Sequence, residues 1–126
     1  MSGYVINIEE KTKQNEYFRE VLFTASCSQL VVMSLNPKEE IGEEIHTVDQ
    51  FLRIESGRGK AVLDGEEFDI KDGSAIVVPA GVKHNFINTS DTEKLKLYTI
   101  YSPPEHKDKT VHRTKEDAIK DEENHL

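Results

Sequence analysis

Two short polar clusters contain the residue types that bind divalent metal ions in proteins. The upstream cluster holds Glu44, His46 and Gln50, and the downstream cluster contributes His84. Imidazole and carboxylate groups together suit zinc, iron, copper, nickel and manganese. Two histidines with one carboxylate match the facial triad, which is associated with Fe(II) and with open coordination positions. We therefore predict that these four side chains bind one divalent transition metal, with iron or manganese favoured over zinc, nickel or copper.

The spacing of the upstream cluster places its side chains on one face of a β-strand. Side chains alternate between the two faces of a strand, so Glu44 and His46 point the same way. Gln50 keeps this parity if the strand continues without a bulge. The same parity places Leu52 and Ile54 on that face, which predicts a pocket with polar groups at its mouth and an apolar floor.

The downstream histidine follows a bend in the chain. Pro79 and Gly81 interrupt the strand pattern just before His84 and would aim its ring into the same interior. Phe86 lies two residues further on and shares the face of His84. We therefore predict that Phe86 also lines the pocket.

Each predicted ligand has an ordinary alternative role. His46 taken alone is more often a surface strand residue, and Glu44 lies in an acidic stretch that water would solvate. Gln50 could satisfy a backbone group, and His84 could be a hydrogen-bonded turn residue. The metal interpretation therefore depends on the four side chains meeting at one point.

The strand and turn rhythm of the chain indicates an all-β fold. Turn signals recur roughly every ten residues between positions 44 and 101, which is typical of an antiparallel sandwich or barrel. No helical periodicity persists in this stretch. The predicted strands cover residues 4–8, 17–25, 29–35, 50–55, 60–63, 66–70, 74–78, 84–88 and 95–101.

The composition excludes several classes of protein. The chain has 126 residues and a net charge of -8, so no basic surface favours nucleic acid. It has no apolar run long enough to span a membrane and no secretory signal at its N-terminus. Cys27 is the only cysteine, which favours a reducing compartment and predicts a cytoplasmic protein.

The end of the chain differs in character from the rest. Residues 105–126 are rich in charge, so we predict a barrel domain over 1–104 and a short polar tail over 105–126. Thr114 could begin a short helix in this tail as its N-cap. We expect His106 and His112 in the tail to be exposed to solvent. We expect Arg19 and Arg53 to be surface or interface residues.

The downstream cluster resembles the second motif of the cupin superfamily. That motif has the form G-x5-P-x-G-x2-H-x3-N, and every fixed position is matched, by Gly73, Pro79, Gly81, His84 and Asn88. With the strand rhythm, the resemblance extends over residues 4–103. It implies a jelly-roll β-barrel, also called a double-stranded β-helix, with a metal inside. The chain also resembles small single-domain cupins that are labelled as similar to mannose-6-phosphate isomerase.

The upstream cluster departs from the first cupin motif, G-x5-H-x-H-x3,4-E-x6-G. His46 and Gly57 match it, whereas Glu44 occupies the position of the first histidine and Gln50 that of the glutamate. By this resemblance, His46 and His84 are retained ligands, and Glu44 and Gln50 are substituted ones. A carboxylate at the first position can still bind metal, so the set remains chemically sensible.

Three functions are consistent with these patterns. The first is a metal-dependent enzyme that acts on a small oxygen-rich organic molecule by oxygenase, isomerase or lyase chemistry. The second is a non-catalytic module that binds a metal or a small molecule, and the third is a structural barrel with a vestigial site. Because barrels with exposed edge strands often pair, we also predict a homodimer, joined through residues 4–8 or 17–25.

Overall fold

The computed structural model describes residues 2–124, which form a jelly-roll β-sandwich of two antiparallel sheets with a short helix near each end of the chain. The predicted fold class is therefore confirmed. The elements are α1 (Ile8–Gln14), β1 (Arg19–Thr24), β2 (Gln29–Leu35), β3 (Asp49–Ser56), β4 (Arg58–Leu63), β5 (Glu66–Lys71), β6 (Ala75–Val78), β7 (His84–Asn88), β8 (Leu95–Ser102), β9 (Val111–His112) and α2 (Lys115–Asn124).

The two sheets differ in size. The larger one has six strands in the order β6-β3-β8-β2-β1-β9, and the smaller one has three in the order β5-β4-β7. Strand β3 lies in the larger sheet and β7 in the smaller one. Gln50 of the upstream cluster and His84 of the downstream cluster are therefore attached to opposite sheets.

The core lies between the sheets and follows the period of two that strands impose. Along β3, Gln50, Leu52 and Ile54 are all at most 3% exposed. Phe86 on β7 and Leu97 on β8 are buried in the same apolar cluster. Alternating burial of this kind is what a half-apolar strand achieves when it covers a core on one face.

The strand predicted over residues 4–8 is wrong: residues 4–7 have no regular secondary structure, and helix α1 begins at Ile8. Asn7 caps the helix, since its side-chain oxygen accepts a hydrogen bond from the backbone N–H of Glu10 at 3.0 Å. Glu9 and Glu10 lie in the first turn, where carboxylates interact favourably with the helix dipole. These capping signals start a helix at Ile8, and the alternation of the residues before it is too weak to form a strand.

The C-terminal segment joins the larger sheet. Strand β9 pairs with β1, with Arg19 opposite His112. Helix α2 follows, and the Thr114 hydroxyl oxygen accepts a hydrogen bond from the backbone N–H of Asp117 at 3.1 Å, which confirms the predicted N-cap. Neither helix has the length and apolar character that crossing a bilayer requires, over the residues described here.

Gly57, a position of the first cupin motif, is required for the turn between β3 and β4. Its φ is 94°, in the left-handed region, and a Cβ atom there would lie 2.5 Å from the carbonyl oxygen of Lys94. Gly73 has a similar φ of 91°, but a Cβ atom there would have no neighbour within 4 Å. Comparing the two glycines therefore separates the cost of a left-handed backbone, which both share, from the cost of a steric clash, which only Gly57 would have.

We expect Gly57→Ala to destabilise the protein more than Gly73→Ala. Both changes carry the left-handed penalty of about 1–2 kcal/mol. Only Gly57→Ala adds an overpacking term of about 1–3 kcal/mol. Urea unfolding of the two variants measures the difference. Equal midpoints would contradict the close approach.

Candidate metal centre

Backbone pairing between two segments of chain brings the polar clusters together. Residues 39–44 run antiparallel to β7, and an isolated bridge joins Glu44 to His84. The Glu44 N–H donates to the His84 carbonyl oxygen at 2.9 Å, and the His84 N–H donates to the Glu44 carbonyl oxygen at the same distance. The Gly81 N–H donates to the carbonyl oxygen of His46, also at 2.9 Å. These bonds place Glu44 and His46 directly beside the start of β7.

The segment between the upstream residues is not a continuous strand. Glu44 pairs with the smaller sheet, and the chain then crosses to the larger sheet, where β3 begins at Asp49. Gln50 therefore does not share a strand with Glu44 and His46, contrary to the parity argument. The crossing nevertheless buries His46 and Gln50, which are 9% and 3% exposed.

Three of the predicted ligands converge. The structure places one carboxylate oxygen of Glu44 and one ring nitrogen each of His46 and His84 within 4.8 Å of one another. The two imidazole centroids are 4.9 Å apart, and His46 Nε2 lies 3.7 Å from Glu44 Oε2. Two histidines and a carboxylate at this spacing are a donor set that suits a divalent transition metal.

The hydrogen bonds of His84 orient its free nitrogen. Its Nδ1 lies 2.9 Å from the carbonyl oxygen of Val82, which can only accept, so Nδ1 carries the proton. The Nε2 lone pair is therefore available, and this atom is buried without a hydrogen-bond partner. His46 Nδ1 is likewise buried without a partner. Buried polar atoms of this kind are normally paired.

Gln50 presents a third buried and unpaired atom. Its Nε2 donates to the Thr99 hydroxyl oxygen at 3.0 Å, and that hydroxyl donates to the Phe51 carbonyl oxygen at 2.8 Å. Because the hydroxyl proton is already used, the amide must donate, and its Oε1 is left as an acceptor without a partner. Gln50 lies opposite Tyr101 in the sheet, and the Tyr101 ring is 5.7 Å from that of His46.

Glu44 and His46 stabilise each other's charged forms. Burial alone would raise the pKa of Glu44, but the His46 imidazole outweighs it, with smaller help from Arg19 and His84, and the pKa is lowered. Burial alone would lower the pKa of His46, but Glu44 outweighs it and raises that pKa. Without a metal, this carboxylate and imidazole therefore form an ion pair.

A cleft of about 470 Å³ opens beside Glu44. Its wall is built largely from the C-terminal segment, and it includes Arg19, Glu105, His106 and His112. This volume falls within the usual range for small-molecule sites.

The predicted exposure of His112 and of Arg19 is wrong, since both are 7% exposed. His106 is partly buried, and its Nε2 has no exposed surface and no hydrogen-bond partner. Burial, with a smaller contribution from Arg19, lowers the pKa of His106 to about 3. The pairing of β9 with β1 explains the difference, because it folds this segment over the mouth of the barrel. A two-residue strand leaves no periodic signal in the sequence.

The predicted pocket residues Leu52, Ile54 and Phe86 lie in the core beneath the cluster. They are at most 1% exposed, and the Phe86 ring is 5.9 Å from that of His84. None of the three lines the cleft. Their role in holding a ligand stays a prediction.

Comparison with known proteins places the site in a family context. The family described as a cupin domain matches residues 31–101, which include the four predicted ligands. The uncharacterised protein YrkC of Bacillus subtilis is 53% identical over 124 residues, covering 92% of this chain and 66% of that protein. The uncharacterised protein L612 of Acanthamoeba polyphaga mimivirus is 51% identical over 108 residues, covering 82% of this chain and 67% of that protein. This chain thus spans about two thirds of the length of these relatives.

A solved structure is similar over nearly the whole chain. The crystal structure of BH2720 from Bacillus halodurans has a TM-score of 0.92 and 43% identity, covering 94% of this chain and 95% of that one. The likeness to mannose-6-phosphate isomerase stays a prediction.

We expect the metal-free protein to be most stable between about pH 4.5 and 6.5, the ordinary pKa values of Glu44 and His46. The lowered pKa of Glu44 stabilises the fold above 4.5, and this is lost as the pH falls through the folded value. The raised pKa of His46 stabilises the fold below 6.5, and this is lost as the pH rises through the folded value.

In the presence of a chelator, the melting temperature should therefore fall by a few degrees from pH 6 to pH 8. Glu44→Gln should flatten this part of the profile, whereas Glu43→Gln, at an exposed neighbour, should not. Differential scanning calorimetry gives the profiles. Superimposable profiles for the wild type and Glu44→Gln would contradict the ion pair.

Proposed function

Since this chain belongs to the cupin family, we propose that it binds one divalent transition metal and acts on a small oxygen-rich organic molecule. The proposed ligands are Glu44, His46, Gln50 and His84. One observation carries the proposal: a carboxylate and two imidazoles converge, and His46, His84 and Gln50 each leave a buried polar atom unpaired.

The donor set fits a metal of the iron or manganese type. Two neutral imidazoles, one carboxylate and one amide oxygen leave a divalent ion with a net positive charge. Such an ion supplies Lewis-acid chemistry, polarising a carbonyl or carboxyl oxygen that binds to it. Anionic or enolic oxygen ligands are therefore the natural occupants of the open positions.

Two rings close to the proposed ligands define what the chain itself does around that ion: Tyr101, whose ring is 5.7 Å from that of His46, and His106 in the cleft wall. Tyr101 is 2% exposed, and burial raises the pKa of its phenol, so the hydroxyl stays protonated at neutral pH. The His106 ring lies 5.1 Å from that of Tyr101 and stays neutral at the same pH. Its Nε2 has no hydrogen-bond partner, and the residue forms part of the cleft wall.

A binding module without turnover is the second candidate. One observation favours it: both Tyr101 and His106 have pKa values far from neutrality, whereas general acids and bases work best near the operating pH. Oxygen uptake with a panel of diketones, phenols and thiols separates the two functions. Turnover that disappears in His46→Ala supports the enzyme, and ligand-dependent thermal shifts without turnover support the module.

We expect the protein to carry about one equivalent of a transition metal when it is purified without added metal. His84→Ala and Glu44→Gln should each lower this content at least tenfold, because the first removes a donor and the second removes the only negative charge of the donor set. Glu43→Gln is the matched control, since Glu43 pairs with Lys83 on the surface. Elemental analysis measures the content. Less than about a tenth of an equivalent in the wild type, unchanged by His84→Ala, would refute the proposal.

We expect the residue at position 50 to set the affinity for the metal. Gln50→Glu should tighten binding about tenfold or more because it adds a negative charge, and Gln50→Leu should weaken it by a similar factor. Competition with a chromophoric chelator measures both. Equal affinity in all three proteins would remove Gln50 from the ligand set and leave the other three in place.

A further inference from the structure

Arg19 is a buried cation in the wall of the cleft. It is 7% exposed and lines the cleft beside Glu44, yet it forms no ion pair with any residue from 2 to 124. Its Nε atom is buried and has no hydrogen-bond partner. Buried charges in proteins are normally paired, so this guanidinium has an unused side.

The other side of the guanidinium is held in place. Arg19 Nη1 lies 3.2 Å from His112 Nδ1, and because arginine can only donate, Nδ1 is the acceptor. The His112 ring therefore carries its proton on Nε2, which donates to Asp121 Oδ2 at 2.8 Å. The Phe18 ring lies 5.2 Å from the guanidinium carbon. The C-terminal segment thus fixes one side of the guanidinium, whereas Nε has no partner and the residue lines the cleft.

Arg19 lines the same cleft as Glu44, one of the candidate metal ligands. Arg19 lowers the pKa of Glu44, and only burial and the His46 imidazole have larger effects on that pKa. Arg19 also lowers the pKa values of Tyr101 and His106, and only burial has a larger effect on them. Because Arg19 and Glu44 line the same cleft, a ligand bound to Arg19 would lie close to Glu44, which belongs to the candidate metal cluster.

We propose that Arg19 binds the carboxylate group of a small organic acid in this cleft, with the remainder of the acid directed towards Glu44, His46 and His84. The second clause rests on the proposed function, whereas carboxylate binding by Arg19 does not. The Nε side of a guanidinium matches the two oxygens of a carboxylate in a bidentate pair.

The charge of the site favours a carboxylate over a phosphate. One carboxylate neutralises the single charge of Arg19. A phosphate dianion would add a second negative charge beside Glu44 and Glu105, both of which line the cleft. The cleft volume of about 470 Å³ accommodates a small acid.

Calorimetric titration of the full chain, with and without added Mn²⁺, tests the proposal. The probes are acetate, pyruvate and benzoate, each compared with its amide, and inorganic phosphate. We expect at least one acid to bind and its amide not to bind. Arg19→Gln should weaken binding tenfold or more, and Arg19→Lys by less because it keeps the charge. Arg58→Gln, which removes an exposed arginine of the smaller sheet, should have no effect.

A second measurement keeps the test independent of the stability of the variants. In the wild type, the Nε–H resonance of Arg19, identified by its loss in Arg19→Lys, should shift on titration with the acid that binds. Equal affinity in Arg19→Gln, an unshifted resonance, tighter binding of phosphate, or no binding of any acid would each overturn the inference. Carboxylate binding to a protein that binds no metal would support Arg19 and refute only the proposed function.

Discussion

The bridge between Glu44 and His84 is the interaction on which the site depends. Its two hydrogen bonds, each 2.9 Å long, fix the register of a segment that would otherwise be a loop. A one-residue slip in such a pairing would turn every side chain to the other face. The relative position of the carboxylate and the two imidazoles is therefore set by main-chain geometry, before any ligand is present.

Several polar atoms of the candidate metal ligands have no hydrogen-bond partner. His46 Nδ1, His84 Nε2 and Gln50 Oε1 are buried without partners, and leaving such an atom unpaired costs about 1–3 kcal/mol. Elsewhere in the same core, Asn88 uses its amide to donate to three carbonyl oxygens, at 2.8 to 3.2 Å. Two further unpaired atoms belong to Arg19 and His106 in the cleft wall, whereas Thr12 Oγ1 and Ser34 Oγ are unpaired elsewhere in residues 2–124. Most of the unpaired atoms therefore belong to the proposed ligands and the cleft wall, which is consistent with a site that receives a ligand.

The sequence predicts the parts of this arrangement that follow from local pattern. Strands β2 and β7 have the bounds that alternation and flanking turns indicate. The sequence could not reveal that the chain crosses between sheets after Glu44, because a crossing and a bent strand can have the same composition. The strand predicted over residues 4–8 was wrong because its alternation is weak, and helix α1 was missed because the capping signal of Asn7 went unrecognised. Arg19 was misplaced because its burial depends on a distant, two-residue strand.

The residues that the sequence predicted at the site are the proposed metal ligands, and the ones it missed are those that shape the cleft. The cupin match covers residues 31–101, and it contains the four proposed metal ligands. Arg19 and the histidines at 106 and 112 lie outside it, on β1 and on the C-terminal segment. A barrel can keep its metal donors on the matched strands while the flanking segments shape the cleft around them. Reactivity and ligand choice would then be set by different stretches of sequence, so family membership alone cannot identify the ligand, and the flanking segments are where it must be sought.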